Sequence, residues 1–149
     1  MVVNPKFISS EILNQIINLV IDGGQIQHGL LKDNLLKSEY IAYIIEDDKV
    51  VTSATLKNPL KSYRDRVYQQ SKSNLESLNQ RELGYIVTHK EFRGKGYCTN
   101  LLNEFQEYFN NQNLFATTRK ESMIHILKKY NFRIVGETYK SDLKLLIKN

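Results

Sequence analysis

The segment Arg93-Gly94-Lys95-Gly96-Tyr97-Cys98 lies between two stretches of sequence in which apolar residues recur at different spacings. Residues 82–88, which precede it, are rich in β-branched and aromatic side chains, and this composition is typical of a strand. Residues 97–109 carry apolar side chains three and four positions apart, which is typical of an amphipathic helix. The sequence therefore predicts the order strand, glycine loop, helix.

The glycine loop has the composition of an anion-binding site. Gly94 and Gly96 allow the backbone to approach a ligand without a Cβ atom in the way. The first amides of the following helix lack acceptors within the helix, and the helix dipole adds a partial positive charge there. Arg93 and Lys95 add full positive charges. This combination favours a phosphate or pyrophosphate group as the ligand.

Two common nucleotide-binding motifs do not fit this loop. In a P-loop, the Gly-Lys pair is followed by Ser or Thr, whereas Lys95 is followed by Gly96. A dinucleotide-binding fingerprint has a third glycine at the position of Thr99. We therefore do not expect the loop to bind a nucleoside triphosphate or NAD.

The flanking sequence predicts one α/β domain spanning residues 1–149, with a mixed, mostly antiparallel sheet of six to seven strands and about four helices. A helix begins at Ser9 or Ser10 and ends at Gly23-Gly24, and a weaker helical pattern follows from Ile26. Residues 57–80 are expected to form a polar, ordered connecting segment that contains some helix. The other predicted elements are strands at residues 40–45, 50–56, 114–118, 133–139 and 143–147, and a helix at residues 122–130.

Composition excludes several classes of protein. A hydrophobic share of 41% and a charged share of 25% over 149 residues are those of a folded globular domain. The single cysteine, Cys98, cannot form an internal disulfide, and the three histidines show no zinc-ligand spacing. The first residues lack the layout of a secretory signal, and no early apolar run is long enough to span a membrane, so we expect a cytoplasmic protein.

Charge is distributed unevenly along the chain. Residues 1–60 carry 5 basic and 7 acidic side chains, whereas residues 61–149 carry 16 and 9, a net charge of +7. This excess suits nucleic acid, an acidic protein or a phosphorylated cofactor, and charge alone does not choose among them.

The loop resembles the acetyl-CoA-binding loop of the GNAT superfamily of N-acetyltransferases, in which Gln or Arg is followed by two residues, Gly, one residue, and Gly or Ala. Here Arg93, Gly96 and Cys98 occupy the three motif positions. Residues 82–88 look like the central strand of that family, and Tyr130-Asn131-Phe132 looks like its closing Leu-Gly-Phe element. The order of elements over residues 9–147 also fits.

The resemblance implies that acetyl-CoA is the cosubstrate and that an amine acceptor attacks its thioester directly. The loop amides would hold the CoA pyrophosphate, and strand backbone would pair with the pantetheine arm. The amide of Val87 or of a neighbour would polarise the thioester carbonyl. The implied cofactor-binding residues are Ile86, Val87, Thr88, Arg93, Gly94, Lys95, Gly96, Tyr97 and Cys98.

The resemblance also implies two catalytic candidates. Glu82 lies where many members of the family have a glutamate that acts as a base through water. The usual general acid of the family is a tyrosine five residues before the Gly-Phe pair, and Leu127 occupies that position here. Tyr130 and Ser122 are the nearby replacements, with core packing as the alternative role of Tyr130 and water as another proton source for the thiolate.

Cys98 replaces the small residue of the family pattern. Its place at a helix N-terminus beside Arg93 and Lys95 predicts a lowered thiol pKa. The expected role is that of a small residue beside the phosphates, and a nucleophilic role is the alternative. The acceptor is expected to be an amine of a small molecule or a protein, and the chain a monomer or homodimer. Two rival functions are a nucleic-acid-binding module, although nucleic acid is not the expected partner, and a non-catalytic acyl-CoA binder.

Overall fold

The structure is a computed structural model and describes residues 1–24, 28–75 and 80–149. Ile26 and residues 76–79, on which parts of two sequence predictions fall, lie outside the described residues. The elements in chain order are β1 (Val2–Val3), α1 (Ser10–Asp22), α2 (Leu31–Leu36), β2 (Tyr40–Glu46), β3 (Lys49–Lys57), α3 (Lys61–Gln70), β4 (Arg81–Thr88), α4 (Tyr97–Phe105), β5 (Leu114–Thr118), α5 (Glu121–Lys128), β6 (Arg133–Tyr139) and β7 (Leu143–Lys148).

The seven strands form one sheet in the order β1-β2-β3-β4-β5-β7-β6. The pair β4–β5 is parallel, whereas β1–β2, β2–β3, β5–β7 and β6–β7 are antiparallel. The predicted fold class, a mixed and mostly antiparallel sheet flanked by helices, is therefore confirmed. Strand β1 was not predicted, because two residues are too few to show an alternating pattern.

The described residues group into two compact units. Unit 1 comprises residues 1–58 and 83–108, and unit 2 comprises residues 59–82 and 109–149. Strand β4 begins in unit 2 and continues into unit 1. That residues 1–149 form a single domain stays a prediction. In the described ranges, no helix is both long and apolar enough to cross a membrane.

Unit 1 is built on an apolar face of α1 and the hairpin β2–β3. The hydroxyl of Ser9 accepts a hydrogen bond from the amide of Ile12 at 3.2 Å and so caps α1, as predicted. Asp47 and Asp48 both have positive φ angles, 49° and 59°, which suits the tight turn of the hairpin. The buried residues of this core are Leu13, Ile16, Leu19, Val20, Leu31, Leu35, Ile41, Tyr43 and Val50.

Unit 2 packs α3 in a core with residues of β5, β6 and β7. Its buried residues are Val67, Tyr68, Phe115, Val135, Tyr139, Leu145 and Ile147, with Tyr63 packed against them. Two side chains of α3 contact Gln80 near the start of β4: Arg64 donates to its carbonyl oxygen at 3.2 Å, and the hydroxyl of Tyr68 donates to its side-chain oxygen. The helix that the sequence predicted loosely for residues 57–80 is thus α3.

Gly136 interrupts β6 within unit 2. Its φ of +68° lies in the left-handed region, and the pairing of β6 with β7 shifts register between Val135 and Tyr139. The amide of Glu137 donates to the carbonyl of Ser71 at 2.6 Å, and a Cβ atom on Gly136 would overlap that same carbonyl oxygen. Only glycine therefore fits here without movement of the backbone.

Candidate functional site

The glycine loop of unit 1 is an open, left-handed turn at the N-terminus of α4. Gly94 and Gly96 have φ angles of +74° and +84°, and, apart from the residues next to them in the chain, no described heavy atom lies within 4 Å of the place where either Cβ would be. Gly96 is the N-cap residue of α4 and has no side chain with which to cap the helix amides. The first-turn amides of a helix are donors for an external anion. The loop therefore has the form of the predicted anion site.

The basic side chains of this loop are held in place by neighbouring groups. The Nε of Arg93 donates to the carbonyl of Thr88 at 3.1 Å, which ties the start of the loop to the end of β4. The Nζ of Lys95 lies 5.5 Å from the centre of the Phe92 ring, and that ring makes an edge contact with Tyr97 at 5.7 Å. Both positive charges are exposed and lie next to the glycines.

The turn between β4 and the glycine loop is fixed by His89. Its amide donates to the carbonyl of Val51 at 2.7 Å, and its Nδ1 accepts from the amide of Glu91 at 3.2 Å. The His89 ring also contacts the ring of Phe92 edge-on at 5.8 Å. This role of His89 was not predicted from the sequence, because a lone histidine is a weak signal for a cap.

The end of β4 is half-buried and is bonded to β3. The Thr52 hydroxyl donates to the carbonyl of Val87 at 3.0 Å and lies 3.0 Å from the Thr88 hydroxyl. The carbonyls of Val87 and Thr88 therefore each accept one hydrogen bond from a protein side chain. A role of residues 86–88 in binding a ligand through their backbone stays a prediction.

Tyr85 breaks the regular geometry of β4. Its φ of 48° is left-handed, which is rare for a residue with an aromatic side chain and marks a local distortion of the strand. The side chain is held at both ends, since Asn34 donates to its hydroxyl at 3.2 Å and the Lys57 ammonium lies 4.3 Å above its ring. Residues 86–88 thus follow a distorted point of the strand.

The structure corrects the expected chemistry of Cys98. Burial raises the pKa of its thiol to about 11, whereas the sequence analysis expected the helix terminus and nearby cations to lower it. The thiol is therefore protonated at neutral pH, which opposes a nucleophilic role. The side chain is half-buried in the first turn of α4, and the expected role as a small residue beside the phosphates stays a prediction.

Glu82 is buried in unit 2 at the beginning of β4, with 4% of its surface exposed. It is the register partner of Phe115 in the parallel pair β4–β5. The hydroxyl of Tyr63 is hydrogen-bonded both to Glu82 and to Thr117, and the pKa of Tyr63 is raised, first by burial and then by the negative charge of Glu82. The carboxylate is thus hydrogen-bonded to Tyr63, a contact that was not predicted from the sequence.

A second phenol lies near the same carboxylate. The pKa of Tyr139 is raised to about 12, by burial first and by the charge of Glu82 second, and the Arg119 guanidinium opposes this shift. Arg119 itself donates to Asp142 at 2.9 Å. Glu82 therefore lies among Tyr63, Tyr139 and Thr117, which are all residues of unit 2.

Tyr130 and Leu127 are both buried in unit 2, with 6% and 1% of their surfaces exposed. The carbonyl of Leu127 accepts from the amide of Tyr130 at 2.9 Å and from that of Phe132 at 3.2 Å. Between them, Asn131 has a φ of 68°, the left-handed residue that commonly ends a helix. The apolar side chain of Leu127 has no proton to donate, and a catalytic role for Tyr130 stays a prediction.

No group of three or more potential metal ligands occurs among residues 1–24, 28–75 and 80–149. The glycine loop and residues 86–88 belong to unit 1, and Glu82 and Tyr130 belong to unit 2. Strand β4 carries residues of both parts.

Comparisons with solved structures identify several acyltransferases of the same fold. An acyl-CoA N-acyltransferase from Pseudomonas aeruginosa is 12% identical with a TM-score of 0.73, and the likeness covers 100% of this chain and 97% of that chain. The ribosomal-protein-S18-alanine N-acetyltransferase from Escherichia coli is 8% identical with a TM-score of 0.67, covering 99% and 92%. An aminoglycoside 6′-N-acetyltransferase complexed with coenzyme A is 10% identical with a TM-score of 0.65, covering 99% and 96%.

The comparison with curated proteins gave no significant match. The model of the acetyltransferase (GNAT) family, in contrast, matches residues 21–132, which is most of the chain and includes β4, the glycine loop and α5. The resemblance seen in the sequence is therefore confirmed, and this chain belongs to the GNAT family of acetyltransferases.

Proposed function

We propose that this protein transfers an acetyl group from acetyl-CoA to a primary amine by direct attack of the amine on the thioester. The observation that carries the proposal is the glycine loop, because its two left-handed glycines leave an open surface beside the first amides of α4. Membership of the GNAT family and a fold-level likeness to an enzyme complexed with coenzyme A agree with it.

In this proposal, unit 1 binds the cosubstrate. The amides at the start of α4 hold the CoA pyrophosphate, and Arg93 and Lys95 add positive charge beside it. The backbone of residues 86–88 pairs with the pantetheine arm, and the amide of Val87 donates to the thioester carbonyl oxygen. A fixed donor at this position stabilises the negative charge that develops on that oxygen as the amine attacks.

Glu82 supplies the proton acceptor. An amine is protonated at neutral pH and must lose a proton before it attacks, so the carboxylate accepts this proton, directly or through water. A bond then forms between the amine nitrogen and the carbonyl carbon, and the carbon–sulfur bond breaks. The departing thiolate takes a proton from Tyr130 or from water.

The relatives suggest two classes of acceptor. One is named for an aminoglycoside and another for the alanine of a ribosomal protein, so both a small polyamine and a free protein N-terminus belong in a screen. We keep both classes in the proposal. A cytoplasmic location and a monomeric or homodimeric state also stay predictions.

A thermal melt with and without acetyl-CoA tests the binding step. Ligand at 100 times its dissociation constant stabilises a protein by about 2.7 kcal/mol, or roughly 5 to 10 °C for a domain of this size. A shift of this order supports binding of acetyl-CoA at the glycine loop. Turnover is then measured as the CoA thiol released in the presence of kanamycin, spermidine or a peptide with N-terminal alanine. No shift in a folded sample would overturn the proposal and favour nucleic acid as the ligand of the basic residues.

A second candidate, a non-catalytic acyl-CoA binder, has one specific observation in its favour. Leu127 is buried at the position of the usual general acid of the family, so that acid is replaced by a group without a proton to give. A thermal shift with acetyl-CoA, together with no thiol release above the background rate for any acceptor, would favour this candidate.

A further inference from the structure

We propose that Tyr63 is a positioning residue for Glu82: its hydroxyl donates to the carboxylate and holds it in one orientation for proton transfer. This inference rests on the proposed function, in which Glu82 is the proton acceptor. Tyr63 belongs to α3, in a polar segment that carries no recognisable motif. A residue of this helix would therefore contribute to the reaction.

The register of the sheet places the partners of Glu82 on one face. Glu82 pairs with Phe115 in the parallel pair β4–β5, and register partners on neighbouring strands project to the same face of a sheet. Thr117 lies two residues after Phe115 on β5, so it projects to that face as well. Helix α3 covers this face, since the ring of Tyr63 lies 6.4 Å from that of Phe115.

The hydrogen bonds of Tyr63 run in one direction. A phenol has a single proton, and Glu82 as a carboxylate is only an acceptor, so Tyr63 donates to Glu82 and accepts from the hydroxyl of Thr117. Donation from Thr117 uses the lone pair of the phenol and leaves its proton for the carboxylate. Two hydrogen bonds in series, from Thr117 to Tyr63 and from Tyr63 to Glu82, thus fix the position of the carboxylate oxygen.

The other ionisable groups around the carboxylate do not replace this contact. Tyr139 of β6 is close enough for the Glu82 charge to raise its pKa, and Arg119 acts on Tyr139. Both phenols have raised pKa values because of burial, so each stays protonated at neutral pH and neither competes with Glu82 for the acceptor's proton. Of these two phenols, Tyr63 is hydrogen-bonded to the carboxylate, whereas Tyr139 interacts with it through charge.

A double-mutant cycle of Tyr63→Phe with Glu82→Gln tests the inference. Tyr68→Phe is the matched control, because Tyr68 lies on the same helix, its ring is 6.0 Å from that of Phe115, and its hydroxyl bonds to Gln80 instead. Two readouts are needed. The first is kcat and KM as a function of pH, with acetyl-CoA and the best acceptor among kanamycin, spermidine and the alanine peptide. The second is unfolding by urea, which needs no acceptor.

We expect Tyr63→Phe to lower kcat by about tenfold, the factor of one hydrogen bond to a charged group, and to leave KM for acetyl-CoA unchanged. In the E82Q background the same change should have little further effect on kcat. The losses of unfolding free energy measured in urea should be non-additive for Tyr63→Phe and Glu82→Gln. For Tyr68→Phe and Glu82→Gln they should be additive.

Three results would overturn the inference. An equal loss of kcat from Tyr63→Phe with and without Glu82→Gln means that Tyr63 acts independently of Glu82. A loss from Tyr68→Phe that matches that from Tyr63→Phe in size and pH dependence means that α3 contributes only packing. Additive losses of unfolding free energy for Tyr63→Phe and Glu82→Gln mean that the hydrogen bond between the two side chains contributes nothing to stability. Full activity of Glu82→Gln is a different failure, since it removes the base from the proposed function itself.

Discussion

The side chain of Arg93 donates from Nε to the carbonyl oxygen of Thr88 at 3.1 Å, so the first residue of the glycine loop is fixed to the last residue of β4. The strand end and the loop are thereby joined by a side-chain contact as well as by the chain itself. Arg93 is exposed, and its guanidinium has further N–H groups that can reach a ligand. One side chain can thus serve both the shape of the loop and its charge.

The position and charge of Arg93 predict that Arg93→Gln weakens acetyl-CoA binding by about tenfold or more. This is the effect expected when a charged hydrogen bond to phosphate is lost. The salt dependence of binding should also become shallower, because one charge–charge contact is lost. Titration calorimetry at two salt concentrations measures both. Lys6→Gln is the control, since it removes an exposed charge from the turn at Pro5–Phe7, and equal effects of the two variants would contradict the prediction.

The loop glycines predict a separation of binding from stability. Gly94→Ala and Gly96→Ala each place a Cβ atom on the open surface and force alanine into the left-handed region, which costs roughly 1–2 kcal/mol. Gly24→Ala carries the same backbone strain with an open Cβ position after α1. We expect similar losses of unfolding free energy in all three variants, and a loss of acetyl-CoA binding only in the first two. Unchanged binding in those two would show that the ligand does not approach the loop.

The buried carboxylate predicts a kinetic effect without a binding effect. Glu82→Gln should lower kcat by about 10²-fold, the lower range for a general base, and leave the KM for acetyl-CoA unchanged. Thiol release is the measurement. Glu137→Gln is the control, since it removes an exposed carboxylate of unit 2 that pairs with Lys72 at 3.2 Å.

The buried tyrosines predict loss of stability in alkali. The pKa of Tyr68 is raised by burial to about 12, above the value near 10 of an exposed tyrosine. The folded state therefore holds this proton more tightly than the unfolded chain, so its contribution is complete below pH 10 and is lost as the pH rises towards 12. Urea unfolding between pH 9 and 12 should show a shallower decline in Tyr68→Phe. Val67→Ala should lower stability without changing the slope.

Gly136 predicts the largest effect of a single methyl group on stability. Gly136→Ala adds to the left-handed strain an overlap with the carbonyl of Ser71, whereas Gly24→Ala adds the strain alone. The loss of unfolding free energy in urea should therefore be clearly larger at position 136. Equal losses would mean that the segment around Ser71 moves aside at little cost.

Much of this fold could be predicted from local pattern. Strands β5 and β6 were predicted with the bounds that the structure has, because their β-branched and aromatic residues lie between polar breaks. The apolar pattern predicted a helix that extends to residue 109, whereas α4 ends at Phe105. A short 3-10 turn at Gln106–Tyr108 follows it and leads to buried Phe109. A hydrophobic pattern reports burial and does not distinguish these two kinds of helix.

The candidate site was predicted unevenly for a related reason. The glycine loop consists of glycines and cations that are adjacent in sequence, so a local pattern was enough to predict it as an anion site, and anion binding there stays a prediction. The surroundings of Glu82 could not be predicted in this way, because Tyr63, Thr117 and Tyr139 come from α3, β5 and β6 and meet it only through the register of the sheet. The thiol of Cys98 was wrongly expected to be acidic, since charge is visible in the sequence and burial is not.

The burial of Cys98 also affects how the reaction can be followed. It is the single cysteine of the chain, and its thiol stays protonated at the pH of an ordinary assay. Reagents that react with thiolates should therefore modify the protein slowly and the small, solvent-exposed thiol of released CoA quickly. A chromogenic disulfide can then report turnover continuously against a low and steady background from the protein.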